Sequence, residues 1–206
     1  MTRPDIARLR GAVFATIVGL AAASSAIAQP AVTMTMTPPS VGTKAPDFSM
    51  RSADGAMVRL ADAVAKGPVV LVVLRGWPGY QCPVCTRQFG SFMGRATAFD
   101  SSGARVLFVY PGPAEDLDAH AREFVRGDRL PASFTFLLDP AYAFTQSYGL
   151  RWDAPQETAY PSTFVIDRDG LVRYAKISRT HGDRAPVDDV LAAVAALDGP
   201  RTMPRH

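Results

Sequence analysis

Apolar and polar positions along the chain fall into blocks that change period every few residues. Phe48-Ser49-Met50-Arg51 and Met57-Val58-Arg59-Leu60 flank Ser52-Ala53-Asp54-Gly55, and Asp-Gly between two such runs is a hairpin signal. Residues 61–66 read as a short helical turn closed by Gly67-Pro68. Val69-Val70-Leu71-Val72-Val73-Leu74 is unbroken, apolar and mostly β-branched, the pattern of a strand buried on both faces, as in a parallel sheet. From Cys85 the apolar positions Phe89, Phe92, Met93, Ala96 and Phe99 fall at offsets of 4, 7, 8, 11 and 14, one face of a helix. Gly90 and Gly94 weaken that helix, so packing must hold it, and Ser101-Ser102-Gly103 ends it. Val106-Leu107-Phe108-Val109-Tyr110 is the next buried strand, and strand, helix, strand makes a βαβ unit.

Beyond this unit, residues 114–125 predict an amphipathic helix, 134–138 a short strand, and 142–148 a short helix ended by Gly149. Ser162-Thr163-Phe164-Val165-Ile166 and Leu171-Val172-Arg173-Tyr174-Ala175 flank Asp167-Arg168-Asp169-Gly170, a second hairpin in which Asp167 and Asp169 read as turn residues. Pro186 is expected at the first position of a last helix, with Val187, Val190, Leu191, Val194 and Leu197 on its inner face and Gly199-Pro200 as its stop. The class is therefore α/β, without an internal repeat.

The N-terminus stands apart from this pattern. Arg3, Arg8 and Arg10 precede an apolar, small-residue stretch over 11–26, and Ala26-Ile27-Ala28 has the form of a cleavage site. Residues 1–28 are thus expected to be a signal peptide, too short and too rich in Ala, Ser and Gly for a membrane span. Residues 29–42, with Pro30, Met34, Met36, Pro38, Pro39 and Gly42, read as a flexible linker; Met34 and Met36 are soft donors but only two in number. Residues 43–198 form the expected domain and 199–206 a frayed tail. At 48% hydrophobic and 20% charged, the remaining length suits one globular domain with its own core. The formal charge of +3 drops to +1 when the leader removes Arg3, Arg8, Arg10 and Asp5, which excludes the basic surface that nucleic-acid binding needs. No stable membrane insertion is expected once the leader is gone. Export, periplasmic or extracellular, puts the cysteines where a disulfide persists.

Those cysteines are the candidate chemistry. Gly76-Trp77-Pro78-Gly79-Tyr80-Gln81-Cys82-Pro83-Val84-Cys85 holds the two cysteines of the chain, at the carboxyl end of the first buried strand, where open α/β sheets place their sites. With Pro83 at the first helical position, Cys82 is the N-cap and Cys85 sits at N3 on the same side. First-turn N–H groups and the helix dipole favour S⁻ over SH there, and the thiolate is the reactive form. One sulfur can then resolve what forms on the other. Other readings stand beside this one. A structural disulfide is open to an exported protein, although so short a loop restricts the unfolded chain little. A zinc site needs further ligands, and His120, His181 and His206 lack ligand spacing to the cysteines. Two inert buried cysteines need no Trp-Pro-Gly loop before them. Trp77 and Tyr80 either shield the sulfurs, contact a partner or pack; His181 lies in an expected surface loop.

Three motifs in this order, Gly42-Thr43-Lys44-Ala45-Pro46-Asp47-Phe48, the loop over 75–88, and Tyr160-Pro161-Ser162-Thr163-Phe164-Val165-Ile166-Asp167-Arg168-Asp169-Gly170, resemble the thioredoxin-like superfamily over about residues 41–197. The likeness is to its peroxiredoxin-like (redoxin) branch, the alkyl hydroperoxide reductase and thiol-specific antioxidant (AhpC/TSA) group. It implies a thioredoxin-like fold, a central mixed β-sheet flanked by helices with an N-terminal β-hairpin. Peroxiredoxins carry Pro-x-x-x-Thr-x-x-Cys; here Pro78 to Cys85 keeps the frame, with Cys85 in the peroxidatic place and Cys82 where the threonine stands. The family's thiolate-stabilising arginine is replaced by Pro161, leaving Arg75 or Arg151 as substitutes. Thioredoxins instead face their dithiol with a cis-proline, which Tyr160-Pro161-Ser162-Thr163 resembles; that likeness makes Cys82 the exposed attacking thiolate, Cys85 the resolving thiol, and Pro161 the backbone presented to substrate. The favoured expectation is thiol–disulfide exchange by Cys82, Cys85 and Pro161. The alternatives are a thiol-dependent peroxidase with Cys85 peroxidatic, and a non-enzymatic exported module with a structural disulfide. The resemblance implies no cofactor and no metal, a reducing thiol protein or small thiol as partner, and an oxidised protein or a peroxide as substrate.

Overall fold

The computed structural model describes residues 37–127 and 129–198. The expected signal peptide and tail, with Met34 and Met36, lie outside these residues. Of the expected linker, residues 37–42 are described. Pro39 is buried and Gly42 N donates to Val172 O at 2.8 Å, so this part lies against the domain.

The hairpin is β1 (Ser49–Arg51) and β2 (Met57–Arg59), antiparallel with Met50 opposite Val58. Helix α1 (Leu60–Lys66) leads into β3 (Val69–Val73). Then come α2 (Pro83–Met93), α3 (Ala96–Ser101), β4 (Arg105–Gly112), α4 (Leu117–Val125), β5 (Phe134–Pro140) and α5 (Ala143–Ser147). The chain closes with β6 (Ser162–Ile166), β7 (Val172–Ile177), α6 (Val187–Ala195) and a 3-10 turn at Ala196–Asp198. The five-stranded sheet runs β5-β4-β3-β6-β7. β3, β4 and β5 are parallel, while β6 pairs antiparallel with both β3 and β7. The central mixed sheet, its flanking helices and the N-terminal hairpin match the expectation.

Both faces of the sheet are covered, which explains the unbroken apolar run in β3. Successive side chains point to opposite faces. Val70, Val72 and Leu74 join one core with Phe89 and Phe92 of α2, Phe99 of α3, Phe124 of α4 and Val190 of α6. Val69, Leu71 and Val73 join a second core with Ala63 of α1, Phe144 of α5 and Tyr148. The first core is aromatic: Phe108 meets Phe89, Phe92 and Phe136 at centroid separations of 5.0–6.3 Å. Cys82 and Cys85 belong to this layer.

Among the boundaries that differ from the sequence reading, three change how helices are placed. The helix expected to run on to Phe99 breaks after Met93: Gly94 caps α2 with its N on Gly90 O, Arg95 N turns to Phe92 O, and α3 starts afresh at Ala96. The break lets Phe92 and Phe99 stack at 5.4 Å inside the same core. Helix α4 starts at Leu117 rather than 114 because Asp116 adopts a left-handed conformation, φ 55°. Pro186 is the N-cap of α6, one residue before the expected place, with extended φ/ψ.

Candidate active site

The loop that carries the cysteines leaves the carboxyl end of β3 and is tied to β4 at two points. Leu74 N donates to Val109 O at 2.9 Å, and Trp77 N to Pro111 O at 2.8 Å. Between them Gly76 has φ 71°, and a Cβ there would collide with the Pro111 carbonyl. Only glycine permits so close an approach in that conformation.

At the start of α2 the local expectation holds in detail. Cys82 is the N-cap, Pro83 opens the helix, and Cys85 N donates to Cys82 Sγ at 3.4 Å. Both sulfurs are free thiols and both are buried, Cys82 at 2% exposure and Cys85 at 0%. The reading of Cys82 as an exposed thiolate is corrected by this burial: the N-cap side chain turns in under the first turn of α2 and joins the core. Cys85 Sγ receives two further N–H groups, Arg75 N at 3.3 Å and Arg184 Nη2 at 3.7 Å.

The two thiols titrate as a pair. A hydrogen bond from Cys85 lowers the Cys82 thiol to about 5 against the cost of burial, helped by the N–H groups of Cys85 and Val84 and by the Arg184 charge. The Cys85 thiol is raised, because it donates its proton to Cys82, lies buried and faces the Cys82 charge; Arg184 and Arg75 N work against that rise. Near neutral pH the pair therefore holds one negative charge and one proton, shared between adjacent sulfurs.

A polar network surrounds them. Arg75 is buried, and its guanidinium reaches Glu157 Oε2 at 2.7 Å, the Tyr80 hydroxyl at 2.5 Å and Gln156 O at 2.6 Å. Burial disfavours its charge, but the bonds to Glu157 and Tyr80 outweigh that and raise its pKa. Thr158 Oγ1 donates to Arg75 O. Glu157 is held low, against its burial, by Arg75 and by His181, whose Nε2 lies 2.7 Å from Oε1. On the other flank the Trp77 ring stacks on His120 at 3.6 Å. Gln81 bridges His120 O and the buried Tyr110 hydroxyl at 2.9 and 2.8 Å.

Pro161 departs from the thioredoxin likeness. Among the described residues no peptide bond is cis, so Tyr160–Pro161 is trans. The local backbone is already committed: Tyr160 N donates to Leu150 O, and Pro161 O accepts Ser178 N at 2.8 Å. Part of the Pro161 backbone that was expected to face a substrate is thus bonded within the chain, and trans is the default for an X-Pro bond. Pro161 does lie at the right end of the sheet, one step beyond the Val73–Ser162 pair.

Of the two substitute arginines, neither guanidinium faces sulfur. Arg75 contributes its backbone N–H only. Arg151 stitches the 151–158 loop through Thr158 O at 2.6 Å and lies over the Tyr142 ring at 4.1 Å. The cation at the sulfur is Arg184, which sequence reasoning missed. Among the described residues its Nε and Nη1 are buried without a partner and no carboxylate pairs with the guanidinium to dilute its charge. Position 184 carries no periodic or motif signal; the one clue is its place just before α6, whose Val190 packs in the same core as the cysteines.

Donors converging on a buried, monoanionic dithiol at a helix N-terminus favour nucleophilic sulfur chemistry. Comparison with known proteins agrees. Peroxiredoxin Q, chloroplastic, of Oryza sativa subsp. japonica is 31% identical over 135 residues, 66% of this chain; the chain spans 58% of that protein's length. Peroxiredoxin Q of Triticum aestivum is 30% identical over 135 residues, with the same coverage of both chains. The crystal structure of the peroxidoxin BcpB from Mycobacterium tuberculosis superposes with a TM-score of 0.62 over 78% of this chain and 99% of that one, at 24% identity, which places the fold as thioredoxin-like. The model of the AhpC/TSA family matches residues 41–175, from the strand-leading segment through the cysteine loop to β7, and the chain belongs to that family.

Proposed function

We propose that the protein is a thiol-dependent peroxidase in which Cys85 attacks the peroxide and Cys82 resolves the product. The observation that carries this reading is the pair of N–H donors on Cys85 Sγ, from Arg75 N and Arg184 Nη2. They supply the cationic, hydrogen-bonding surround that stabilises a thiolate and the charge building on a peroxide oxygen. Family membership supports the same chemistry, and so does the frame from Pro78 to Cys85.

In the resting pair the proton rests on Cys85 and is directed to Cys82. Its transfer to Cys82 leaves the thiolate on Cys85. That thiolate attacks the outer peroxide oxygen: the S–O bond forms, the O–O bond breaks, and the departing alkoxide or hydroxide takes the Cys82 proton. Cys85 is then a sulfenic acid and Cys82 a thiolate. Cys82 attacks the Cys85 sulfur, a disulfide forms, and hydroxide leaves as water after taking a proton from solvent. One peroxide and two thiols become one alcohol or water, one water and one disulfide. A thiol protein or small thiol returns the disulfide to the dithiol by exchange.

Disulfide exchange led by Cys82 is the second reading, favoured by the thiol lowered to about 5 at the N-cap. The trans, internally bonded Pro161 weighs against it, as does the placement of both N–H donors, Arg75 N and Arg184 Nη2, on Cys85. The deciding experiment pairs Cys82→Ser with Cys85→Ser. The proposal expects Cys82→Ser to consume one peroxide per chain and yield a dimedone-trappable sulfenic acid, and Cys85→Ser to consume none. Peroxide consumption by Cys85→Ser alone, or capture of a protein disulfide by Cys82 alone, sinks it. Export belongs to the same proposal, supported by the basic, apolar and Ala26-Ile27-Ala28 pattern; a mature protein beginning at Gln29 in the exported fraction is its test.

A further inference from the structure

The loop between β7 and α6, residues 178–186, brings the cation to the sulfur but has no regular structure of its own. Side-chain and backbone anchors hold it. Ser178 N donates to Pro161 O at its start, and the Arg179 guanidinium lies over the Tyr160 ring at 4.7 Å. Lys176 Nζ meets Asp183 Oδ1 at 2.7 Å. The anchor that reaches towards the cysteines is His181. Its Nε2 lies 2.7 Å from Glu157 Oε1, and its ring leans on Trp152 at 5.3 Å. A carboxylate only accepts, so Nε2 carries the donated proton.

Glu157 is no free surface acid. Its other oxygen grips Arg75, and Arg75 N donates to Cys85 Sγ. The bond between His181 and Glu157 therefore fastens the arginine-bearing loop to the residue that also contacts the sulfur. Only Gly182 and Asp183 separate His181 from Arg184. Arg184 has little else to fix it, since among the described residues its Nε and Nη1 have no partner and its Nη2 faces Cys85 at 3.7 Å. Where the guanidinium points is decided by where the loop is held.

We propose that His181 is a positioning residue: by gripping Glu157 it sets the 178–186 loop so that Arg184 reaches Cys85. This rests on Cys85 and Arg184 forming the reacting centre, but its test needs no peroxide. In the full chain, the thiolate is titrated by absorbance near 240 nm, and the alkylation rate with iodoacetamide is followed against pH.

His181→Ala is expected to move the thiolate midpoint upward and slow alkylation at acidic pH by about two- to fivefold, the range for a partly exposed pair. His181→Gln, whose amide nitrogen reaches where Nε2 sits, restores the wild-type values. In an Arg184→Met background, His181→Ala has no further effect, because the group it positions is gone. A His181→Ala profile equal to wild type overturns the proposal; so does an effect that adds in full to that of Arg184→Met. Should the alanine variant melt too low to titrate, His181→Asn, polar but too short for Glu157, is read in the same way. A chain inert to peroxide that still shows this coupling sinks the peroxidase reading and leaves His181 in place; the reverse result separates them the other way.

Discussion

Replacing Arg184 by methionine tests the electrostatics of the site most directly. The change keeps the apolar stem and deletes the charge. At 3.7 Å a guanidinium and a thiolate attract by about 4 kcal/mol at an effective dielectric of about 20. Arg184 is partly exposed, and Arg75 N remains on the sulfur, so the net loss falls to about 1.5–3 kcal/mol, the range for hydrogen bonds to charged groups. At 1.36 kcal/mol per unit, the first thiol ionisation moves up by about one to two units from its wild-type value of about 5. The assay is an absorbance titration near 240 nm beside stopped-flow peroxide reduction. Near pH 8 the pair is monoanionic in both proteins, so a tenfold or greater fall in rate there reports lost transition-state stabilisation rather than lost thiolate. Removing two buried donors that have no partner among the described residues should offset part of the stability lost near neutral pH as the thiol midpoint rises. Arg184→Lys, a cation without the planar fork, should fall between the two. A methionine variant with its midpoint still near 5 and its rate within twofold of wild type would refute the assignment of Arg184.

Other outcomes follow from the same structure. Glu157→Gln leaves the buried Arg75 charge without its carboxylate and should destabilise by about 3–5 kcal/mol in urea unfolding, far more than loss of the half-exposed Arg51–Asp118 pair. Gly76→Ala should cost at least about 1–3 kcal/mol, since a Cβ meets the Pro111 carbonyl at a left-handed φ; a melting temperature equal to wild type would mean that the loop yields easily. Phe92→Ala, which empties a fully buried site between Phe99 and Phe108, should cost about 3–5 kcal/mol by the same measurement. The Cys82 thiol is held below its unfolded value, so the folded state binds fewer protons between about pH 5 and 9. Its stabilising contribution is present in full near pH 9 and is lost as pH falls through 5, with the raised Cys85 opposing further gain above pH 9. Denaturation midpoints that rise from pH 5 to 8 in wild type, and rise less in Cys82→Ser, are the expected result.

The strands were legible because burial writes itself into residue type. Residues 69–74 read as a two-faced buried strand, and the two cores that take alternate side chains of β3 are the cause. The Cys82 N-cap and Pro83 start were equally legible, since they depend on a four-residue stretch alone. What escaped were effects of distance. The Gly94 break goes with the stacking of Phe92 on Phe99 against the sheet, a packing contact that no local pattern records. The burial of Cys82 depends on layers brought in from α4 and α6. Arg184 reaches Cys85 across 99 positions of sequence, and no local rule singles out one arginine for that task. The Pro161 likeness carried the reading furthest from the structure, because a short match over residues 160–163 records neither the isomer nor the hydrogen bond to Ser178.

Cys82 and Cys85 share the first turn of α2, and Cys85 N already donates to Cys82 Sγ at 3.4 Å. On the peroxidase reading this proximity governs the fate of the oxidised enzyme. A sulfenic acid whose resolving partner lies on a distant segment must wait for that segment to arrive, and a second peroxide competes during the wait to give the sulfinic acid. Here closure needs no element to melt and no second subunit, so the interval open to a second oxidant is short. Inactivation by excess peroxide should therefore be slow in wild type and rapid in Cys82→Ser, where the sulfenic acid has no neighbour to capture it.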